Sequence, residues 1–494
     1  MSTPSVPLRS TAGRWLLLAT ILGSSMAMLD ATVVNIALPD ISRTLDADLA
    51  GLQWVLNGYT LALASLILVA GNLGDRLGRR RTFLVGVVWF AIASALCGLA
   101  PTAEVLVAAR VLQGIGAALL TPGSLALISA TVRHEDRGAA IGAWSGLGGV
   151  AGALGPLLGG WLVDVAGWRA VFWINLPLAA VVVAVTVRHV PESLDPDADR
   201  HTDVPGVVLT VGGLAILTYG LTIGALLPSL GGLLLLVLFV LQERRSTHPL
   251  VPLGLFSDRV FAASNAVTLC VYAALGGTFF LLVLHLQVVA GYSPLAAGAS
   301  TVPITLIMLT LSSRAGALSQ RLGPRLPMTV GPLVAAAGLV LTLRIGPGAD
   351  YVQDVLPAVV VFGLGLATLV APLTTAVLGS APDALAGTAS GVNNAVARTA
   401  QLLAVAALPA AVGLDGTVDD AVSFAAGFER AMVACAVLLV LGSLTAAVLV
   451  RRVRPDHDRD VATRPHCGVT SPSPGVDHVA PSTPGEAIPP GSPV

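Results

Sequence analysis

Long apolar runs separated by short polar breaks recur along this chain, and that alternation predicts helices that cross a bilayer. A span needs about 20 mostly apolar residues to cross roughly 30 Å of hydrocarbon. Runs of that kind fall at 15–38, 52–73, 82–100, 105–130, 138–163, 170–188, 205–223, 225–241, 261–289, 296–313, 326–345, 355–379, 388–413 and 432–450. The seventh and eighth form a short hairpin that divides between Gly224 and Pro228. The first run follows Arg9 and Arg14. It is too long for the apolar core of a cleaved secretion signal, about 7–15 residues, and reads as a membrane helix.

Composition supports the same class. Hydrophobic residues make up 55% of the 494, charged residues only 11%, and the mean hydropathy is +0.83. A soluble domain carries about 25% charged residues because its surface faces water. The net charge of −1 provides no basic field for a nucleic-acid partner. All 27 basic residues are arginine. Without a lysine there is no P-loop and no Schiff-base chemistry, so ATP is not expected as a partner. The four cysteines show no metal or disulfide spacing, and His134-Glu-Asp-Arg137 is not a zinc-binding H-E-x-x-H. Neither a cofactor nor a metal is expected, and a membrane-embedded enzyme or sensor is the remote alternative.

The arginines set the orientation. With the N-terminus inside, the inside segments up to Arg454 hold 19: Arg9, Arg14, Arg76, Arg79, Arg80, Arg81, Arg133, Arg137, Arg188, Arg200, Arg244, Arg245, Arg259, Arg314, Arg321, Arg325, Arg451, Arg452 and Arg454. The outside segments hold four, namely Arg43, Arg169, Arg344 and Arg430. Cytoplasmic loops carry such an excess, so both termini are expected in the cytoplasm. The expected organisation is a cytoplasmic N-terminus at 1–14, a six-helix bundle at 15–190 and two additional helices with flanking loops at 191–258. A second six-helix bundle follows at 259–450, then a Pro/Ser/Gly-rich tail at 451–494 that is too polar to fold alone.

An internal repeat fits two bundles. Gly71-Asn-Leu-Gly-Asp-Arg-Leu-Gly-Arg-Arg80 returns as Gly316-Ala-Leu-Ser-Gln-Arg-Leu-Gly-Pro-Arg325, and Gly138 and Gly142 are echoed by Gly387 and Gly391. Repeated halves flanking a mid-membrane site are a transporter pattern. In the first copy Gly74 and Gly78 permit a tight turn, and Asp75 sits among Arg76, Arg79, Arg80 and Arg81.

Two charges lie inside spans. Asp30 is well within the first helix and Arg110 within the fourth. A charge at mid-span costs at least about 2.5–3.5 kcal/mol on insertion scales, so each is expected to face a cavity or a partner. Asp30 can take up a proton; Arg110 in practice cannot release one, and is expected to pair with an acid such as Asp30. Arg398, with Asn393 and Asn394 nearby, is a third candidate whose role the sequence leaves open. Helix five carries Gly148, Gly152, Gly155, Pro156, Gly159 and Gly160. Glycines four apart allow close helix approach, and Pro156 bends the rod. Asn35, Asn57, Gln113, His285, Gln287, Asn394 and Arg398 are the polar side chains expected along a cavity. Spans nine and ten contain no acid, which disfavours a dicationic substrate.

These features resemble the major facilitator superfamily, in its 14-helix drug/proton antiporter branch. The resemblance rests on Leu29-Asp-Ala-Thr-Val-Val-Asn-Ile-Ala-Leu-Pro39, Gly71–Arg80, Arg110-Val-Leu-Gln-Gly114, the glycines of 148–160, and Gly167-Trp-Arg-Ala-Val-Phe-Trp-Ile-Asn-Leu-Pro177, in that order. It implies an all-α, two-bundle transporter of 14 transmembrane helices. Gly71, Asp75, Arg76, Gly78 and Arg79 match a cytoplasmic gate that latches the two halves, and the acid is replaced by Gln320 in the second copy. Asp30 and Arg110 are implied in proton coupling, and the helix-five glycines with Pro156 match an antiporter motif. The implied activity is proton-coupled efflux of small amphipathic molecules across the inner membrane by alternating access, without ATP. A dedicated exporter of one metabolite or self-made antibiotic is the alternative.

Overall fold

The computed structural model describes residues 6–194, 203–382, 385–414 and 420–450. The tail at 451–494, and most of the polar loop expected between spans six and seven, lie outside the described residues. Fourteen long helices cross back and forth: α1 Thr11–Leu45, α2 Leu49–Leu77, α3 Arg79–Leu99, α4 Ala103–Thr131, α5 His134–Ala166, α6 Ala170–His189 and α7 Val204–Thr222. They continue as α8 Leu226–Arg245, α9 Arg259–Val288, α10 Pro294–Leu322, α11 Arg325–Arg344, α12 Tyr351–Gly379, α13 Ala386–Ala411 and α14 Ala421–Leu449. Thirteen are long and apolar enough to span a membrane. The other, α13, is more polar because it carries Asn393, Asn394, Arg398 and Gln401.

Several helices outrun their apolar cores. The first begins at Thr11 and the last at Ala421, where 15 and 432 were expected. Helical hydrogen bonding continues through the polar interface once a cap is available. Ser10, Asp48, Thr102, Asp203, Asp258, Ser293 and Asp420 accept backbone N–H bonds at helix starts.

The packing is two-fold repetitive. In the first half α1 packs on α5 and α6, α4 on α2 and α3, and α3 on α6. In the second, α9 packs on α13 and α14, α12 on α10 and α11, and α11 on α14. The halves meet where α5 crosses α10 and where α2 crosses α13, a pair of contacts that the same repeat interchanges. Glycines mark the correspondence. A Cβ on Gly86 would lie 3.1 Å from the Gly116 carbonyl oxygen, and one on Gly331 3.0 Å from that of Gly365. Such contacts drive association in lipid, where apolar burial adds little between helices. The α7–α8 hairpin stands outside the repeat, with α7 lying on α2 and α13. Much of α8 presents large apolar side chains outward, among them Leu230, Leu233, Leu234 and Val237, as a lipid-facing rod should.

The two ends of the bundle differ. At the arginine-poor end the halves are joined. Gln53 on α2 donates to the Val405 and Ala406 carbonyls of α13 at 2.6 and 3.1 Å. Gln287 on α9 donates to Ile36 of α1 at 3.0 Å, and Asp164 of α5 accepts from Leu295 N of α10 at 3.2 Å. Towards the arginine-rich end, Cβ atoms on Gly138, Gly142, Gly146, Gly149 and Gly152 would meet nothing within 4 Å. The halves are therefore tied together at the arginine-poor end, while α5 is loosely packed toward the other.

Candidate coupling site

A buried polar web links α1, α3, α4 and α6. Asp30 is 2% exposed and Arg110 1%. The Arg110 guanidinium donates through Nη1 to Asp30 Oδ2 at 2.5 Å and to Gln113 Oε1 at 2.6 Å, and through Nε to the Val55 carbonyl at 3.0 Å. Gln113 Nε2 donates to Asp30 Oδ1 at 2.8 Å, and Asn175 Nδ2 reaches the same oxygen at 3.3 Å. Ser94 ties α3 into the web, accepting from Asn175 at 3.0 Å and donating to the Phe172 carbonyl at 2.9 Å. The Tyr59 ring lies over the guanidinium at 4.3 Å.

The pairing of Asp30 with Arg110 is thus as expected, and Gln113 is the third member. Helical spacing explains this locally: Arg110 and Gln113 are three apart on α4, so both project toward α1. Asn175, Ser94 and Tyr59 were not anticipated. Asn175 lies in the Trp-Ile-Asn-Leu-Pro segment, one residue past Ile174, where α6 is interrupted. An amide beside a helix break was the available signal. Ser94 carried none, since a lone serine in an apolar run has no partner in sequence.

The glycines of α5 divide by function. A Cβ on Gly155 would lie 2.1 Å from Thr32 Oγ1, and one on Gly159 2.7 Å from Val33 Cγ1, so these two seat α1. Gly160 faces the Leu295 backbone at 2.6 Å, and Gly298 of α10 faces the Pro156 carbonyl at 2.1 Å. The expectation that Gly148 and Gly152 form a second close-approach stripe is corrected. Gly148 makes only ordinary contact with Met28, and Gly152 borders open space. Both lie in the part of α5 that packs loosely.

Gly78 has φ of +109° and Gly323 of +79°, so the repeated turn is real in both halves. Gly74, expected in the turn, is helical, and its carbonyl accepts from Gly78 N at 3.1 Å. Asp75 accepts from Arg79 Nε at 2.7 Å, a helical i,i+4 pair. Arg80 N donates to Glu192 at 3.0 Å and Arg80 Nη2 to the Val187 carbonyl at 2.7 Å. In the second copy Arg325 donates to the Ala447 carbonyl. Each arginine therefore grips the last helix of its own half. Gly71 lies near Pro122 of α4 and Arg76 in the last turn of α2.

Two expected cavity residues lie elsewhere. His285 is fully packed, stacked on Phe428 at 3.8 Å with Nε2 bonded to the Ile345 carbonyl at 2.7 Å. Gln287 closes the arginine-poor end through Ile36. Asn57 is buried with Nδ2 unbonded, Asn35 donates to Ala31, and Asn394 and Arg398 are half-buried on α13.

Fourteen spans in two repeated halves, tied together at the arginine-poor end, have the architecture of a multi-pass membrane transporter. Residues 20–405 match the model of the Major Facilitator Superfamily, and the chain belongs to that family. It is 39% identical over 408 residues to the tetracenomycin C resistance and export protein of Streptomyces glaucescens, which covers 79% of this chain and 74% of that one. It is 37% identical over 394 residues to the multidrug resistance protein Stp of Mycobacterium tuberculosis, covering 77% and 72%. The puromycin resistance protein pur8 of Streptomyces alboniger is 36% identical over 427 residues, covering 82% and 84%. Among solved structures, a bacterial homolog of the human lysosomal transporter Spinster, inward-facing and unoccupied, superposes with a TM-score of 0.66 at 19% identity. That match covers 89% of this chain and 97% of the other, and the likeness is one of fold.

Proposed function

We propose that this transporter exports small amphipathic molecules, of the antibiotic or drug type, in exchange for protons. The observation that carries the reading is the Asp30–Arg110–Gln113–Asn175 web. It holds a carboxylate of α1, Asp30, whose charge is matched inside the bundle. Its place on α1 supports a coupling mechanism. Thr32 and Val33 sit against Gly155 and Gly159, and Ile36 accepts from Gln287. All lie within two turns of Asp30, on the helix that closes the arginine-poor end.

A proton on Asp30 removes the charge that orients Arg110 and converts an acceptor of three bonds into a partial donor. The clamp of α1 on α4 and α6 weakens, α1 is freed to move with α5, and the closed end can open. Loss of the proton on the other side restores the clamp. The arginine excess then makes the loosely packed end cytoplasmic, with both termini inside and the chain in the bacterial inner membrane. In this reading the Gly71–Arg79 turn latches the halves when the cytoplasmic end closes. A potential of 100 mV supplies about 2.3 kcal/mol per charge, enough for a gradient of roughly fiftyfold per proton. Relatives named for one antibiotic keep a narrow-substrate exporter in view as the second reading.

The test is uptake of a dye and an antibiotic panel by everted vesicles, with and without a proton gradient. Gradient-dependent uptake that D30N abolishes is expected. Equal uptake after a protonophore would refute the exchange mechanism.

A further inference from the structure

Arg398 is the interior charge that the coupling web does not use. It is the thirteenth of the 26 residues of α13, so it lies near mid-span. Its side chain is too short to cross about half of a 30 Å core and snorkel to the interface. It is half-buried, and its one described hydrogen bond is a long one, 3.4 Å to Gln401 on its own helix. No ion pair involves it among the described residues. On the same stripe of α13, Gly391 faces Leu68 and Leu402 packs with Leu61, both on α2, which places Arg398 between the halves.

Among the described residues no counter-ion is available to it. The sequences of α9, α10, α11 and α13 contain neither Asp nor Glu, and the acids of α12 and α14, Asp354 and Glu429, lie toward the arginine-poor end. Asp30 is already engaged by Arg110, Gln113 and Asn175. The mid-span interior thus holds one carboxylate against two guanidiniums. An intramembrane cation without a protein counter-ion marks a path for a ligand that supplies one. Tyr272 of the neighbouring α9 is half-buried, and Asn394 precedes Arg398 by one turn. Asn393 is occupied, donating to Asn265 at 3.1 Å and Thr268 at 2.8 Å.

We infer that Arg398 binds an anionic oxygen of the transported molecule, so that the preferred substrates are amphipathic organic acids carrying one carboxylate or phenolate. This rests on the space between the halves being the substrate path. The planar guanidinium offers a fork of donors to such a group, a neutral amphipath forgoes the charge-assisted part, and an organic cation is repelled. The anion is held by the second half and the proton by the first. Coupling therefore runs through α1 and the helix seam, without competition for one group.

The test uses the full chain in phosphatidylcholine nanodiscs and calorimetric binding of three probes that share a ring: 1-naphthaleneacetate, 1-naphthaleneacetamide and 1-naphthylethylamine. The acetate is expected to bind about tenfold or more tighter than the amide, as one charge-assisted bond provides, and the amine weaker than either. R398Q should remove the acetate's advantage, while the amide still binds within a few-fold of its wild-type affinity, which also shows that the variant is folded. R398K should restore most of the advantage. An acetate that binds no tighter than the amide, or an advantage that survives in R398Q, overturns the inference. Binding is read without a gradient, so failure of proton-driven flux sinks the efflux reading separately.

Discussion

Gly298 on α10 is where a single methyl group should change which end of the transporter is open. A Cβ there would sit 2.1 Å from the Pro156 carbonyl oxygen on α5. An ordinary carbon–oxygen contact is about 3.3 Å or more, so α5 and α10 must move apart by about 1 Å at the closed end. Neither partner can yield by rotating a side chain, since the obstructing atom is backbone. Overpacking of this kind costs about 1–3 kcal/mol. That cost falls on the conformation in which the seam is closed and is absent once the halves separate there. The closed-to-open ratio at the arginine-poor end should therefore fall about fivefold to 150-fold in Gly298→Ala. Spin labels on Val165 and Val352, both exposed at that end and one in each half, would report the change in a background without native cysteines. Wild type should show mainly the short distance, and the variant a grown long-distance population. An unchanged distribution in folded Gly298→Ala would show that the α5–α10 seam does not set the equilibrium.

Other perturbations separate the parts. Asp30→Asn leaves the Arg110 guanidinium buried without its counter-charge, which should cost about 3–5 kcal/mol, read as a lower melting temperature, and should flatten the pH dependence of flux. Gln53→Leu removes the α2–α13 bond and should loosen the closed end by about 1 kcal/mol, visible as faster cross-linking across α2 and α13 from the arginine-poor side. Gly78→Ala forces a side chain into φ of +109° with its Cβ 2.7 Å from Glu192. A loss of at least about 1–2 kcal/mol in unfolding free energy follows. His285→Gln should lower stability by about 1 kcal/mol while leaving the pH profile of transport intact; a shifted profile would show that His285 carries the proton after all.

The sequence by itself determined the number of spans, the repeat, the membrane environment and the identity of the two charges that meet. These follow from one-dimensional rules: bilayer thickness fixes span length, arginine placement fixes which loops share a side, and a charge inside a span requires a partner. Tertiary structure alone decided the rest. Asn175 and Ser94 join Asp30 because α3 and α6 pack together, and no spacing along the chain encodes that. Gly148 and Gly155 look alike in sequence and differ because α1 approaches α5 closely at Thr32 and only loosely at Met28. His285 reads as a polar residue near a helix end, yet its ring is stacked on Phe428, because α14 begins a full three turns before its apolar core. Periodicity shows that a side chain sits in lipid or in protein; only the crossing of helices from distant parts of the chain selects its neighbour.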